Sequence, residues 1–313
     1  MSTIKNIYTF GTSFTKGGGF EFWSYEGTKL KRAYKDLEPE FEQWYFSWPG
    51  QLKKVIDDDN INVVNLAESG HGNERIYRKV YDIVNSPNFD VDTDVFLFEF
   101  SHLGRKEFFS RIMNKPIIMN YSLIFDSESN KFTHNECNGY AYRYWENTDG
   151  WEKINDRKIE YDEFFQKYLD DYCHVDNATR ELANNITLFL YYLSQKNVKF
   201  WFMQPPLSVD TRYFDKIKWD SRIINFSPQS HGFMLDFILF SFNGSATIKS
   251  ETEGYLKDGH TGYIGNKLIA YKVFNHLVEL GLLNKPKKVI DYDYMKKLSN
   301  KILDNIKPFI QKT

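Results

Sequence analysis

Ser13, Asp258 and His260 are residues of types that do hydrolytic chemistry together. Ser13 stands in Gly11-Thr12-Ser13-Phe14-Thr15-Lys16-Gly17-Gly18-Gly19, directly after the apolar run Ile4–Phe10. A strand running into such a turn presents a hydroxyl at its end, with backbone N–H groups beside it. A serine nucleophile needs that arrangement: an accessible oxygen, and amide donors for the developing oxyanion. Asp258-Gly259-His260 supplies a base for the serine and a carboxylate to orient that base. With one residue between them, both side chains reach the same side of a turning loop. Gly70, in Ala67-Glu68-Ser69-Gly70-His71-Gly72-Asn73, offers a further N–H to the oxyanion, because no side chain intervenes. Plainer readings stand beside these. Ser13 is also a good turn or capping serine, and Asp258 an N-cap next to a helix-capping His260.

The elements that must position these residues follow from periodicity. Four short apolar runs read as strands: Ile4–Phe10, Ile61–Leu66, Val95–Phe100 and Val198–Met203. Val95–Phe100 is almost unbroken in its apolar character, which fits a parallel strand covered on both faces. The first three each end in a polar, glycine-bearing loop, the third reading Ser101-His102-Leu103-Gly104-Arg105. In an open parallel sheet, ligands bind beyond the carboxyl ends of the strands, so these loops line one site. Helices are expected at Gln51–Asp58, opened by Pro49, and after Asn73, with Ile76, Val80, Ile83 and Val84 on one face. Further helices are expected within Tyr161–Lys196, with Leu182, Ile186, Phe189, Leu190 and Leu193 as a stripe, near Gly232–Phe240, and at Lys267–Leu280. In the last, Leu268, Ile269, Val273, Leu277 and Leu280 face inward and Gly281 is the stop. The pattern predicts a three-layer α/β/α sandwich with a mainly parallel central sheet.

The expected organisation is a main domain over 1–284 and a linker with an amphipathic helix over 285–313. Met295, Leu298, Ile302, Ile306 and Phe309 share one side of that helix, which must pack on its own domain or on a protein partner. At about 125–158 periodicity is lost in a tyrosine- and tryptophan-rich stretch, read as an irregular insertion with room for a small hairpin. Its Tyr140, Tyr142, Tyr144, Trp145 and Trp151 offer stacking faces to a substrate; decoration is the plainer account.

The chain has 313 residues, a formal net charge of -2 and a pI near 6.4. No basic excess argues for nucleic acid or for an anionic membrane surface. Aromatic content of 18% fits a carbohydrate surface, but is better accounted for by a bias that loads core and surface alike. Cys137 and Cys173 form no Cys-x-x-Cys, so a disulfide framework or zinc site is not expected. Asp57-Asp58-Asp59 lacks the spacing of a calcium loop and reads as a solvated helix end. No cofactor and no metal are expected. Neither a secretory leader nor an apolar run of membrane-spanning length is visible, so the expectation is a soluble protein, cytoplasmic or virion-associated.

Taken in order, Gly11-Thr12-Ser13, Asn65 to Asn73 and Asp258-Gly259-His260 resemble the motifs of the SGNH/GDSL hydrolase family. The resemblance runs from Ile4 to about Leu280. It implies a flavodoxin-like fold and a serine esterase, acting on esters such as O-acyl groups on carbohydrate or lipid. Ser13, His260 and Asp258 would form the triad, and Ser13 and Gly70 would hold the oxyanion. Three positions depart from the family pattern. Thr12 replaces the aspartate of Gly-Asp-Ser, and one residue rather than two separates Asp258 from His260. The Gly-x-Asn-Asp that follows the third strand in the family is replaced by Ser101-His102-Leu103-Gly104-Arg105. The third oxyanion donor is therefore expected from Asn73 first, or else from Ser101 or His102. Ser101, His102 and Arg105 are also candidates for contact with substrate. Arg105 suits an anionic group, or a structural ion pair with Glu107. His71 reads as structural or substrate-facing. The alternative function is an inactive binding or structural protein on the same fold, such as a glycan-recognising component of a bacteriophage particle.

Overall fold

A computed structural model describes residues 4–17, 43–101, 105–111, 115–120, 123–126, 131–134, 142–145, 151–152, 163–164, 167–168, 171, 175–203, 220–224, 261–284 and 297. In chain order the elements are β1 (Asn6–Phe10), α1 (Ser13–Lys16), α2 (Gln43–Phe46), α3 (Trp48–Ile56), β2 (Asn62–Asn65), α4 (Asn73–Val84) and β3 (Asp94–Glu99). There follow β4 (Arg105–Ser110), β5 (Lys115–Asn120), β6 (Leu123–Asp126), β7 (Lys131–His134), β8 (Tyr142–Trp145) and β9 (Trp151–Glu152). The last are α5 (Val175–Gln195), β10 (Lys199–Met203) and α6 (Tyr263–Glu279).

The four expected strands are parallel neighbours in one sheet, in the order β10-β3-β1-β2. Side chains alternate across a strand, and here both faces are covered. Ile7, Val63, Val95, Leu97 and Met203 pack with Trp48 and Leu52 of α3 and Ile269, Val273 and Leu277 of α6. Phe10, Phe96, Phe98, Phe200 and Phe202 pack with Ile76 and Val80 of α4 and Ile186, Phe189, Leu190 and Leu193 of α5. Two-sided burial explains why β3 reads as a continuous apolar run. The result is a parallel sheet between two helical layers.

Helix ends follow local chemistry. The Ser47 side chain accepts the Gly50 N–H at 3.3 Å, and Pro49 opens α3. Gly281, at φ +72°, turns the chain after α6. Leu280 was expected to face inward and instead is 44% exposed, because it lies beyond the last helical residue; Leu283 is buried after the turn.

The sheet order contains a topological switch point. From β1 the chain reaches β2 on one side, then crosses back to β3 on the other. Connections diverge at the carboxyl ends of β1 and β3, which is the crevice such sheets use for ligands.

The inserted segment is more regular than its composition indicates. Antiparallel pairing begins at Arg105, well before residue 125, and β4, β5, β8 and β9 form one sheet in that order. A second hairpin joins β6 and β7. The short connection closed by the Ser110–Lys115 pair brings β4 and β5 together as a hairpin. The expected helices at Gly232–Phe240 and Met295–Ile310 lie outside the described residues, apart from Lys297, which is helical. Cys137, Cys173 and Tyr140 also lie outside them.

Candidate active site

Ser13 is the first residue of α1, set at the end of β1. It is 5% exposed, and its Oγ has no hydrogen-bond partner among the described residues. A first helical residue has no carbonyl one turn back within its own helix to receive its N–H.

The turn around Ser13 is held mainly by Glu99, the last residue of β3. Its Oε1 accepts the Thr12 hydroxyl at 2.8 Å. Its Oε2 accepts the N–H of Thr12 at 3.3 Å and of Thr15 at 2.9 Å, and it also bonds the Thr15 hydroxyl. Trp48 Nε1 donates to the same Thr15 oxygen at 3.1 Å, which leaves that hydroxyl's own hydrogen for Glu99. Burial drives the Glu99 carboxyl above its ordinary range, and the Thr15 and Thr12 bonds and the charge of Arg105 offset part of the rise. Gly11 is required by the close approach. A Cβ there would stand 2.7 Å from both Glu99 Oε2 and Thr15 Cβ, distances that real Cβ contacts do not reach.

The loop after β2 braces the turn from the other side. Asn65 Nδ2 donates to the Thr15 carbonyl at 3.0 Å, while Asn65 Oδ1 accepts the Ala67 N–H at 3.1 Å. The Glu68 N–H bonds the Gly11 carbonyl at 3.1 Å, and the Glu68 carboxylate pairs with Lys16. Gly70 is buried at φ +79°, a conformation costly for any residue with a Cβ.

Asn73 and Ser101 are tied together. Asn73 Oδ1 accepts the Ser101 N–H at 2.7 Å, and Asn73 Nδ2 donates to the Ser101 carbonyl at 3.0 Å. The start of α4 is thereby fixed to the end of β3. The amide keeps one N–H beyond these bonds. Ser101 Oγ is buried with no partner among the described residues.

A second buried cluster joins α4 to the antiparallel sheet. His71 Nδ1 lies 3.0 Å from Glu107 Oε1 on β4, and Arg78 bonds the other oxygen of Glu107. Burial lowers the His71 pKa to about 4, against the pull of Glu107, so the ring is neutral and its Nδ1–H donates to the carboxylate. Burial works to raise Glu107, but the His71 hydrogen bond and the Arg78 charge outweigh it and hold the group below its usual range. Burial pushes Glu74 up to about 7. Gly72 makes this packing fit: a Cβ there would meet Glu74 Oε2 at 2.5 Å and the Arg105 carbonyl oxygen at 2.9 Å. Glu107 thus takes His71 and Arg78 as partners, and Arg105 stands at the start of β4 with its charge acting on Glu99.

Asp258, His260 and His102 lie outside the described residues. The described chain resumes at Thr261, which is buried. Asn266 Nδ2 donates to the Thr261 and Gly262 carbonyls, both at 3.0 Å, fixing the residues directly before α6. Ser13, Gly70, Asn73, Ser101 and Arg105 therefore sit in loops or element ends at the carboxyl edge of the sheet or next to it. Glu99, Thr15, Trp48 and Asn65 were missed by motif reasoning. Glu99 carried a readable signal, as the one charge inside the apolar run Val95–Phe100, since a buried charge must find partners. Among the described residues no group of three or more His, Cys, Asp or Glu is placed to hold a metal ion. No helix among them is long and apolar enough to cross a membrane.

No protein-family model matches the chain, and no curated protein matches it.

Proposed function

We propose that this protein is a serine esterase of the SGNH hydrolase type. Ser13 Oγ attacks the ester carbonyl, His260 takes its proton, and Asp258 orients the imidazole. The oxyanion is received by the Ser13 and Gly70 N–H groups, with the unspent N–H of Asn73 as third donor. Collapse of the tetrahedral intermediate expels the alcohol, protonated by His260, and leaves Ser13 acylated. Water, activated by the same imidazole, then releases the acid. Esters of carbohydrate are the proposed substrate class, on the aromatic sequence between Tyr140 and Trp151.

The observation that carries this reading is the state of Ser13. Its hydroxyl is buried without a partner among the described residues at the divergence point of the sheet, in a turn braced from three sides. Leaving a buried hydroxyl unpaired costs about 1–3 kcal/mol, and structures retain such groups where chemistry uses them. A fluorophosphonate probe should label the wild-type chain, and the Ser13→Ala chain should take none. A properly folded wild-type chain that takes no label favours the binding-protein alternative.

A further inference from the structure

The geometry points to Glu99 as the positioning residue of the Ser13 turn: a carboxylate delivered from β3 that fixes the backbone on both sides of the nucleophile. The inference rests on Ser13 being the nucleophile. Four hydrogen bonds converge on Glu99, two from Thr12 and two from Thr15, so the donors bracket Ser13 in sequence. Two of the four are backbone N–H groups, which cannot turn away without moving the turn itself. The Thr12 side chain does not cap its own helix; it reaches across to Glu99 instead. Gly11 and Trp48 complete the arrangement, the first by admitting the carboxylate and the second by orienting the Thr15 hydroxyl. None of these bonds uses the Ser13 Oγ. Glu99 consumes the turn's flanking donors and leaves the nucleophile unengaged.

Glu99→Gln keeps the shape but removes the negative charge that receives the four bonds, and its NH₂ group forces the Thr12 hydroxyl to turn and accept, or else faces two backbone N–H groups that cannot. Thr12→Val is the milder variant, removing only the hydroxyl partner of Oε1. Three quantities are read on the full chain: the rate of fluorophosphonate labelling, the kcat and KM for p-nitrophenyl acetate, and amide hydrogen exchange across residues 10–17 and 263–279. Glu99→Gln should lower labelling and kcat by at least ~10-fold, with KM moving less than about threefold, since misplacing a reacting group penalises the chemical step. Exchange should rise across 10–17 and stay unchanged across 263–279, and Thr12→Val should shift labelling and exchange the same way by a smaller factor. A folded Glu99→Gln chain with wild-type labelling overturns the inference, as does unchanged exchange across 10–17 in both variants. If Glu99→Gln does not fold, Thr12→Val decides, and wild-type labelling in it overturns the inference. Failure of the parent reading looks different: the wild-type chain takes no label before any variant is made.

Discussion

At the scale of single residues, Asn73 and Ser101 divide one task. Asn73 spends both ends of its amide on the Ser101 backbone, yet retains one N–H in a side chain that can no longer rotate. A locked donor is what a developing oxyanion requires, because no reorganisation is left for the moment of reaction. Ser101 Oγ is the competing donor, being buried and unpartnered. Two substitutions separate them. Asn73→Asp keeps the shape and the acceptor for the Ser101 N–H but has no N–H to give. Its kcat should fall by about 100-fold, with KM within about threefold. Ser101→Ala removes a buried hydroxyl that bonds nothing described, and should leave kcat unchanged while raising stability by up to about 1–3 kcal/mol. Steady-state kinetics with p-nitrophenyl acetate and urea unfolding read both. The opposite ranking would move the third donor to Ser101.

At the scale of elements, the sheet's α4/α5 face is an aromatic layer. Phe98 stacks on Phe10 at 5.1 Å and on Phe100 at 5.8 Å, and meets Phe189 of α5 edge-on at 5.4 Å. It therefore joins two strands to a helix directly beneath the end of β3. Phe98→Ala should lower unfolding stability by about 3–5 kcal/mol, measured in urea; a loss under 1 kcal/mol would mean that the layer collapses around the gap. This core was legible in the sequence, because strands buried on both faces must be apolar throughout and must end where the polar loops begin. The antiparallel sheet was not. Tyr142–Trp145 reads Tyr-Arg-Tyr-Trp and Arg105–Ser110 opens with two cations; such strands are fixed by their partners rather than by alternation. That the loop glycines and Ser13 follow strand ends could be read from spacing alone. The brace could not, because Glu99 and Thr15 are 84 residues apart in sequence and meet only once β1 and β3 pair.

At the scale of the whole molecule, two buried groups at the junction of the sheets set opposing pH dependences. His71 titrates near 6.5 in the unfolded chain and about 4 when folded. Between those values the unfolded chain binds the extra proton, so this contribution is full above pH 6.5 and is lost as pH falls toward 4. Glu74 titrates near 4.5 unfolded and about 7 folded. Here the folded chain holds the extra proton, so its contribution is full below pH 4.5 and is lost as pH rises toward 7. From about pH 4.5 to 6.5 the two slopes have opposite sign and nearly equal size, and they cancel in the wild-type chain. Each substitution unmasks the other group. Glu74→Gln should make stability rise across this window by on the order of 2 kcal/mol, and His71→Gln should make it fall by about as much. The double variant should regain the wild-type slope. Glu99 contributes alike to all four chains, whereas Glu107 bonds His71 and shifts with it. Chains that share residue 71 are therefore compared with each other, and differences between their urea curves at pH 4.5, 5.5 and 6.5 isolate Glu74. Four parallel stability profiles would show that neither group keeps a shifted pKa in the folded chain.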